Sequence, residues 1–287
     1  SEDAPRVRDL LNPVRLFEKL LALKLHLVEE LRELTYGGGA LTYRELAGFD
    51  VQALHTRYRE LDFEQNGDLG RAAVVDRGYL ADRLRSGTTI FEGSQGVLLD
   101  ENHGFHPYTT GSTTTFANAQ QLLDEADFTG KVRRIGIMRC YATRHGPGPL
   151  PTEIASPVVE AHNKEHLWAG DFRAGWLDLV LLRHALRILG PVDELAVSHL
   201  DQWERFGKVA AAYEPERGED EIALCRYGAA LRPSVGLSER YTRAVSRMRP
   251  VLADTERPVE LIEEELGYPV TVTADGEGRQ DRVGRRR

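Results

Sequence analysis

Two glycine-framed segments between residues 89 and 153 constrain this chain more than any other feature. The first, TIFEGSQGVLLDENHGFHPYTTGSTTT at residues 89–115, runs from a short apolar stretch into Glu92-Gly93-Ser94-Gln95-Gly96. That order predicts a buried strand near Thr89 ending in a turn, and glycines without side chains let a ligand approach such a turn closely. Thr109, Thr110, Ser112, Thr113, Thr114 and Thr115 follow, with His103 and His106 ahead of them. Hydroxyls and backbone amides at that density suit a phosphate or a sugar; a solvated threonine-rich loop is the alternative. The second segment, YATRHGPGPLPTE at residues 141–153, turns from residue 144 onward too rich in Gly and Pro for regular structure and reads as a shaped loop.

The order of these pieces resembles the adenylosuccinate synthetase family, whose nucleotide-binding segment has the same FEGxQG turn, LLD, His-Gly, Pro-Tyr and threonine cluster. The family's YxTRxGxGPxPTE segment resembles residues 141–153, and weaker matches continue to about Val283. The resemblance implies an α/β fold related to P-loop NTPases, with a largely parallel central sheet flanked by helices, and a homodimer. It also implies a ligase. A purine nucleoside monophosphate is phosphorylated on a carbonyl oxygen by GTP or ATP with Mg2+, and an amine such as aspartate displaces the phosphate. Carried over position by position, Gln95, Gly96, Thr109, Thr110, His145 and Gly146 would hold the monophosphate, and Arg144 and Arg173 the amine donor. Ser198, His199, Asp201 and Gly276 would hold the base of the triphosphate.

Three departures qualify the resemblance. Residues 168–178, WAGDFRAGWLD, stand where the family has GRxRRxGW, a hydrophobic residue and Asp; Gly170 and Phe172 replace two arginines that serve a dicarboxylate, and only Arg173 remains. His199 replaces the lysine of the family's TKLD. An N-terminal portion of about a hundred residues, a domain or half-domain in size, is absent relative to the family, because Arg6 to Leu10 match a point well inside it. That portion carries the phosphate-binding loop and the catalytic base and acid, so no catalytic residue is assigned here. A separate N-terminal chain could supply them. The alternatives are an inactive nucleotide-binding or regulatory module, or a ligase for a guanine nucleotide or another amine.

Composition sets outer bounds. With 287 residues, 41% apolar and 29% charged, the chain can build a substantial core. Its net charge of −8 argues against nucleic acid or an anionic membrane as partner. Cys140 and Cys225 have no paired spacing, which fits a reducing, cytoplasmic setting. No apolar run approaches the roughly 20 residues of a membrane span.

Along the chain, Asn12-Pro13 opens a helix whose Leu16, Leu20, Leu23, Leu27, Leu31 and Leu34 form one stripe. Further helices are predicted at 43–59, 74–84, 117–126, 177–189 and 258–266, and strands near Thr89, Val132, Leu195 and Val270. Alternating strands and helices indicate an α/β protein. We expect a single domain over 1–287, with a helical insertion at 12–86, a binding core at 87–283 and a basic tail at 284–287. Sites should gather at strand ends after Phe91, Cys140 and Val197. His162 and His166, with Glu165 between them, could share a helix face as metal ligands do. They lack the HExxH order and an evident third ligand, so no metal site is assigned.

Overall fold

The computed structural model describes residues 4–34, 40–60, 75–76, 78–155, 170–214, 235–276 and 278–285. Contacts divide the chain into two units, Ser1–Gly87 and Thr88–Arg287. His162, His166 and Cys225 lie outside the described residues.

The first unit is helical: α1 (Pro13–Leu34), α2 (Ala40–Ala47), α3 (Val51–Glu60) and α4 (Gly78–Ser86). α1 opens where Asn12-Pro13 predicts, and Asn12 Oδ1 accepts from the Arg15 amide at 3.1 Å. The leucine stripe is less buried than its spacing implies. Leu16 is buried and Leu20 and Leu31 are half-buried, but Leu23 and Leu27 are exposed. The helix expected over 43–59 is two helices, since Asp50 caps α3 by accepting from the Ala53 amide at 3.0 Å. His55 ties α3 to the start of α1: its Nε2 lies 2.8 Å from the Pro13 carbonyl and its ring packs edge-on against Phe17.

The second unit is built on a four-stranded sheet. β1 (Ile135–Arg139), β5 (Glu194–Ser198) and β8 (Val270–Ala274) run parallel, in that order, and β9 (Arg282–Gly284) closes it antiparallel to β8. Side chains alternate across a strand, so Met138, Leu195, Val197 and Val270 all face one side. There they form the main core with Leu179 on α6 (Leu179–Leu189) and Ile262 and Leu266 on α8 (Pro258–Leu266). A hairpin-like pair, β2 (Ala142–His145) with β3 (Phe172–Gly175), and a mixed sheet of β4 (Leu177–Asp178), β6 (Lys208–Glu214) and β7 (Arg249–Asp254) complete the strands. α5 (Ala117–Glu125) and α7 (Val235–Val245) are the remaining helices among the described residues.

Three expectations are corrected. No strand forms at Thr89: residues 88–94 carry no ladder, Ile90 is 86% exposed and Phe91 is 37% exposed. An apolar run becomes a strand only where another edge accepts its hydrogen bonds. Arg144 and His145, expected in an irregular loop, end a strand, because β3 supplies partners to residues that local composition does not favour. For the same reason residues 172–178 contain two strands, and α6 begins at Leu179, after Leu177 and Asp178 have paired with β6.

Gly175 shows how closely these pieces meet. A β-carbon there would lie 2.5 Å from the Thr152 carbonyl oxygen and 2.7 Å from its carbon. The same carbonyl accepts from the Trp176 amide at 3.0 Å. The Gly175→Ala protein should lose about 1–3 kcal/mol, since backbone cannot step aside as a side-chain end does. An unchanged urea midpoint would refute this packing.

Candidate functional site

The loop from Gln95 to Thr115 is organised by one carboxylate. Asp100 is 1% exposed. Its Oδ1 accepts from the amides of Asn102 and His103 at 2.9 and 3.1 Å, and its Oδ2 from the Thr114 amide at 2.8 Å. Backbone bonds from Thr110 to Leu99 and from Glu101 to Ser112 close the loop on itself. Gly104 lies directly on backbone, with space for no β-carbon: one would sit 2.6 Å from the Asp100 carbonyl. The loop is thus shaped before any ligand arrives.

The predicted monophosphate residues lie on or beside this frame. Gln95 is exposed, in a left-handed conformation with φ 68°, and its Oε1 is 3.5 Å from the Ser112 hydroxyl. Thr113 and Thr114 spend their hydroxyls on Glu101 and on the Gly96 carbonyl. Among the described residues, the hydroxyls of Thr109 and Thr110 make no such bond, and both residues are half-buried. His145 packs on Phe172 with ring centroids 5.1 Å apart, and Gly146 turns the chain at φ 68°.

Arg144 and Arg173 stand opposite each other in the β2–β3 ladder. Like charges so placed repel unless each is engaged. Arg144 is buried, and its Nε and Nη2 donate to the carbonyls of Pro147 and Tyr108 at 2.9 and 2.8 Å. It therefore joins the loop after β2 to the threonine loop. Burial, then the neighbouring Arg173 charge, lowers its pKa to about 10, so it stays charged at neutral pH. Arg173 donates from Nε and Nη2 to both oxygens of Glu153 at 2.7 and 2.5 Å, and from Nη1 to the carbonyls of Gly146 and Gly148 at 3.0 and 2.9 Å. Its hydrogen bonds hold the Glu153 carboxyl below the usual carboxylate range. A carboxylate ligand at Arg173 must displace Glu153.

The residues expected at the triphosphate base lie at the carboxyl ends of parallel strands. β5 delivers Ser198, followed by His199 in a left-handed conformation at φ 61°. The Ser198 hydroxyl donates to the Met138 carbonyl at 3.2 Å and sits 2.9 Å from His199 Nδ1. Asp201 follows with an exposed carboxylate that accepts from Gln202 at 2.6 Å. β8 delivers Gly276, whose turn wraps Asp281 so closely that a β-carbon would lie 2.7 Å from its carboxylate. Cys140, at the end of β1, donates its thiol to the His199 carbonyl at 2.8 Å. Burial, then the Asp201 charge, pushes that thiol up to about 12, which leaves it unreactive. Among the described residues, three non-glycines adopt positive φ, and two of them are Gln95 and His199. Strained backbone of this kind concentrates at functional sites.

The sequence profile described as adenylosuccinate synthetase matches residues 1–283. The chain belongs to the adenylosuccinate synthetase family. Curated relatives of that name include one from Chlorobium phaeobacteroides, 33% identical over 300 residues, covering 98% of this chain and 64% of its own length. Another, from Halobacterium salinarum, is 32% identical over 300 residues and covers 97% of this chain and 66% of its own length. The chain thus spans just under two thirds of these relatives. The fully ligated adenylosuccinate synthetase from Plasmodium falciparum superposes with a TM-score of 0.65 at 17% identity, covering 98% of this chain and 66% of that one. At that identity the likeness establishes the fold alone, an α/β fold with a largely parallel sheet.

Sequence reasoning missed two residues that build this candidate site. Asp100 was visible only as the last letter of the LLD match, and Glu153 only as the end of PTE. An apolar run stopping at a carboxylate before a glycine-rich loop is a signal for such an anchor. Nothing in the sequence signalled that Glu153 would meet Arg173.

Proposed function

We propose that this chain forms the nucleotide- and amine-binding part of a purine-nucleotide ligase. The observation that carries this is the Arg144 guanidinium, which joins two family-matched segments, the threonine loop and the Gly-Pro loop, through the Tyr108 and Pro147 carbonyls. In the reading we favour, a purine monophosphate lies along Gln95, Gly96, Thr109, Thr110, His145 and Gly146, with its phosphate at backbone amides and free hydroxyls. The base of GTP or ATP lies at Ser198, His199, Asp201 and Gly276. The terminal phosphoryl group passes to a carbonyl oxygen of the purine, turning a poor leaving group into a good one. The amine nitrogen then bonds to that carbon, phosphate departs, and the amine gives up a proton to a base outside these residues. Mg2+ would accompany the triphosphate. Among the described residues no group of three or more His, Cys, Asp or Glu side chains converges on a metal position, so the ion is assigned no ligand among them. A homodimer, a cytoplasmic location and a single binding core over 87–283 belong to the same proposal. Among the described residues no helix is long and apolar enough to cross a membrane.

Isothermal titration with purine nucleoside monophosphates tests the reading. We expect saturable binding by the folded chain, and no binding, with or without the relatives' remaining part supplied, would overturn it. Gln95→Ala should weaken that binding by about 0.5–3 kcal/mol, the range for one or two hydrogen bonds. Unaltered affinity would remove Gln95 from the site.

A second reading keeps the ligase and changes the amine. Gly170 and Phe172 stand where the family carries arginines, and the remaining Arg173 already grips Glu153. An amine donor with one carboxylate, or none, suits this site better than aspartate. From sequence, Arg173→Ala should affect the amine donor and spare the monophosphate. The geometry predicts coupled losses instead, because Arg173 also holds Gly146 and Gly148. Product mass spectrometry across an amine panel, with the complete enzyme, separates the two readings: aspartate incorporation alone would reject the second.

A further inference from the structure

α7 and the turn after it carry a polar stripe. Glu239, Thr242, Arg243, Ser246 and Arg247 recur at spacings of three and four, which places them on one helical face. In a chain of net charge −8, four of the residues from 240 to 249 are arginine. The stripe forms one wall of a cleft of about 340 Å³, and His106, Pro107 and Tyr108 form the other. Packing between neighbouring residues fixes the two walls to each other. Phe105 and Tyr241, 1% and 2% exposed, stack with ring centroids 5.6 Å apart, and the Ser238 hydroxyl donates to the Gly104 carbonyl at 3.0 Å.

The charges in this cleft favour an anion. Arg243 and Arg247 stand there against one carboxylate, Glu239. Glu239 lies 3.8 Å from His106 Nε2 and 4.0 Å from Arg243 Nη1, both beyond hydrogen-bond length. The Thr242 and Ser246 hydroxyls donate within the helix, to the Ser238 and Thr242 carbonyls at 3.0 and 2.8 Å, so recognition falls to the cationic side chains. Arginines near a helix C-terminus are favoured by its dipole. The dipole does not account for a preformed cleft with an aromatic wall facing them.

We propose that the cleft between α7 and the His106–Tyr108 segment binds a phosphomonoester, its dianion at Arg243 and Arg247 and its ring on Pro107 and Tyr108. A guanidinium meets phosphate oxygens with paired N–H donors, and a tyrosine that is 39% exposed offers the ring an apolar face. None of the residues lining the cleft belongs to the monophosphate site proposed above, although Tyr108 adjoins Thr109. The inference therefore rests on the cleft and not on the ligase reading.

Isothermal titration with inorganic phosphate and with phenyl phosphate, in a buffer without other multivalent anions, tests it. We expect phenyl phosphate to bind more tightly than inorganic phosphate. Arg243→Gln should weaken that binding roughly tenfold, the worth of a hydrogen bond to a charged group. Glu239→Gln should tighten it roughly threefold, the worth of one exposed charge. Both side chains are exposed, at 62% and 42%, so the melting temperature should not move, and loss of fold cannot produce effects of opposite sign. No binding of either phosphate, an affinity that neither substitution changes, or weakening by both would overturn the proposal. Equal affinity for the two phosphates would overturn the place given to the ring.

Discussion

Asp100→Ala should cost the second unit about 3–5 kcal/mol and abolish measurable monophosphate binding. The carboxylate is buried and accepts from three backbone amides, those of Asn102, His103 and Thr114. Truncation leaves all three donors without an acceptor, and a buried unsatisfied donor costs about 1–3 kcal/mol. Some of that returns if water enters the gap. Asp100→Asn is the sharper probe. Its one oxygen can still accept from Asn102 and His103, but its NH2 would face the Thr114 amide, donor against donor. About half the loss should therefore remain. Urea unfolding and titration with a purine monophosphate read both effects. If both variants unfold within about 1 kcal/mol of the parent, an estimate on the same scale, the loop is not held by this carboxylate.

A second pair of substitutions should uncover opposing pH dependences that nearly cancel in the parent. Asp178 caps α6 by accepting from the Leu181 amide at 3.0 Å, and the Tyr213 hydroxyl donates to its other oxygen. Burial raises its carboxyl to about 6, partly offset by those hydrogen bonds and the Arg183 charge. An unfolded Asp titrates near 3.9, so the folded state binds the extra proton between about 4 and 6. Its contribution is full at low pH and falls as pH rises through that window, by about 3 kcal/mol at 1.36 kcal/mol per unit. His184, on the same helix, is buried against Tyr241 at 5.0 Å between ring centroids. Burial, then the charges of Arg187 and His103, lowers its imidazole to about 4. Here the unfolded state takes the proton first. Stability is lost as pH falls from about 6.5 to about 4, again by about 3 kcal/mol.

Asp178→Asn should thus make stability fall more steeply on acidification than in the parent. His184→Gln should do the reverse, with stability declining relative to the parent as pH rises from 4.5 to 6. Unfolding free energies across pH 4.5–7, each taken as a difference from the parent, remove the background of other carboxylates. Parallel curves for all three proteins would show that burial does not control these two groups.

What was legible in the sequence was whatever depends on near neighbours along the chain. Pro13 after Asn12 started a helix, and PVELIEEEL formed one over its whole length. The FEGSQG and TRHGPGPLPTE segments identified the family because a ligand-shaping turn needs particular residues in a particular order. Gly146 and Gly148, both at positive φ, show why side-chain-free residues recur there.

Tertiary structure decided what depends on a distant partner. Ile90 and Phe91 have strand composition but no ladder, whereas Phe172–Gly175, with a glycine at its end, is a strand because Ala142–His145 lies beside it. Arg173 reads in sequence as a free hand for a carboxylate ligand; in the fold Glu153, twenty residues earlier, already holds it. Asp100 reads as the end of a hydrophobic run and becomes the acceptor for three amides up to fourteen residues away. Residue order sets conformational preference within a turn or two. Hydrogen bonds and ion pairs between separated segments form only where the packed chain brings both partners together and removes water from around them, and those pairings belong to the fold.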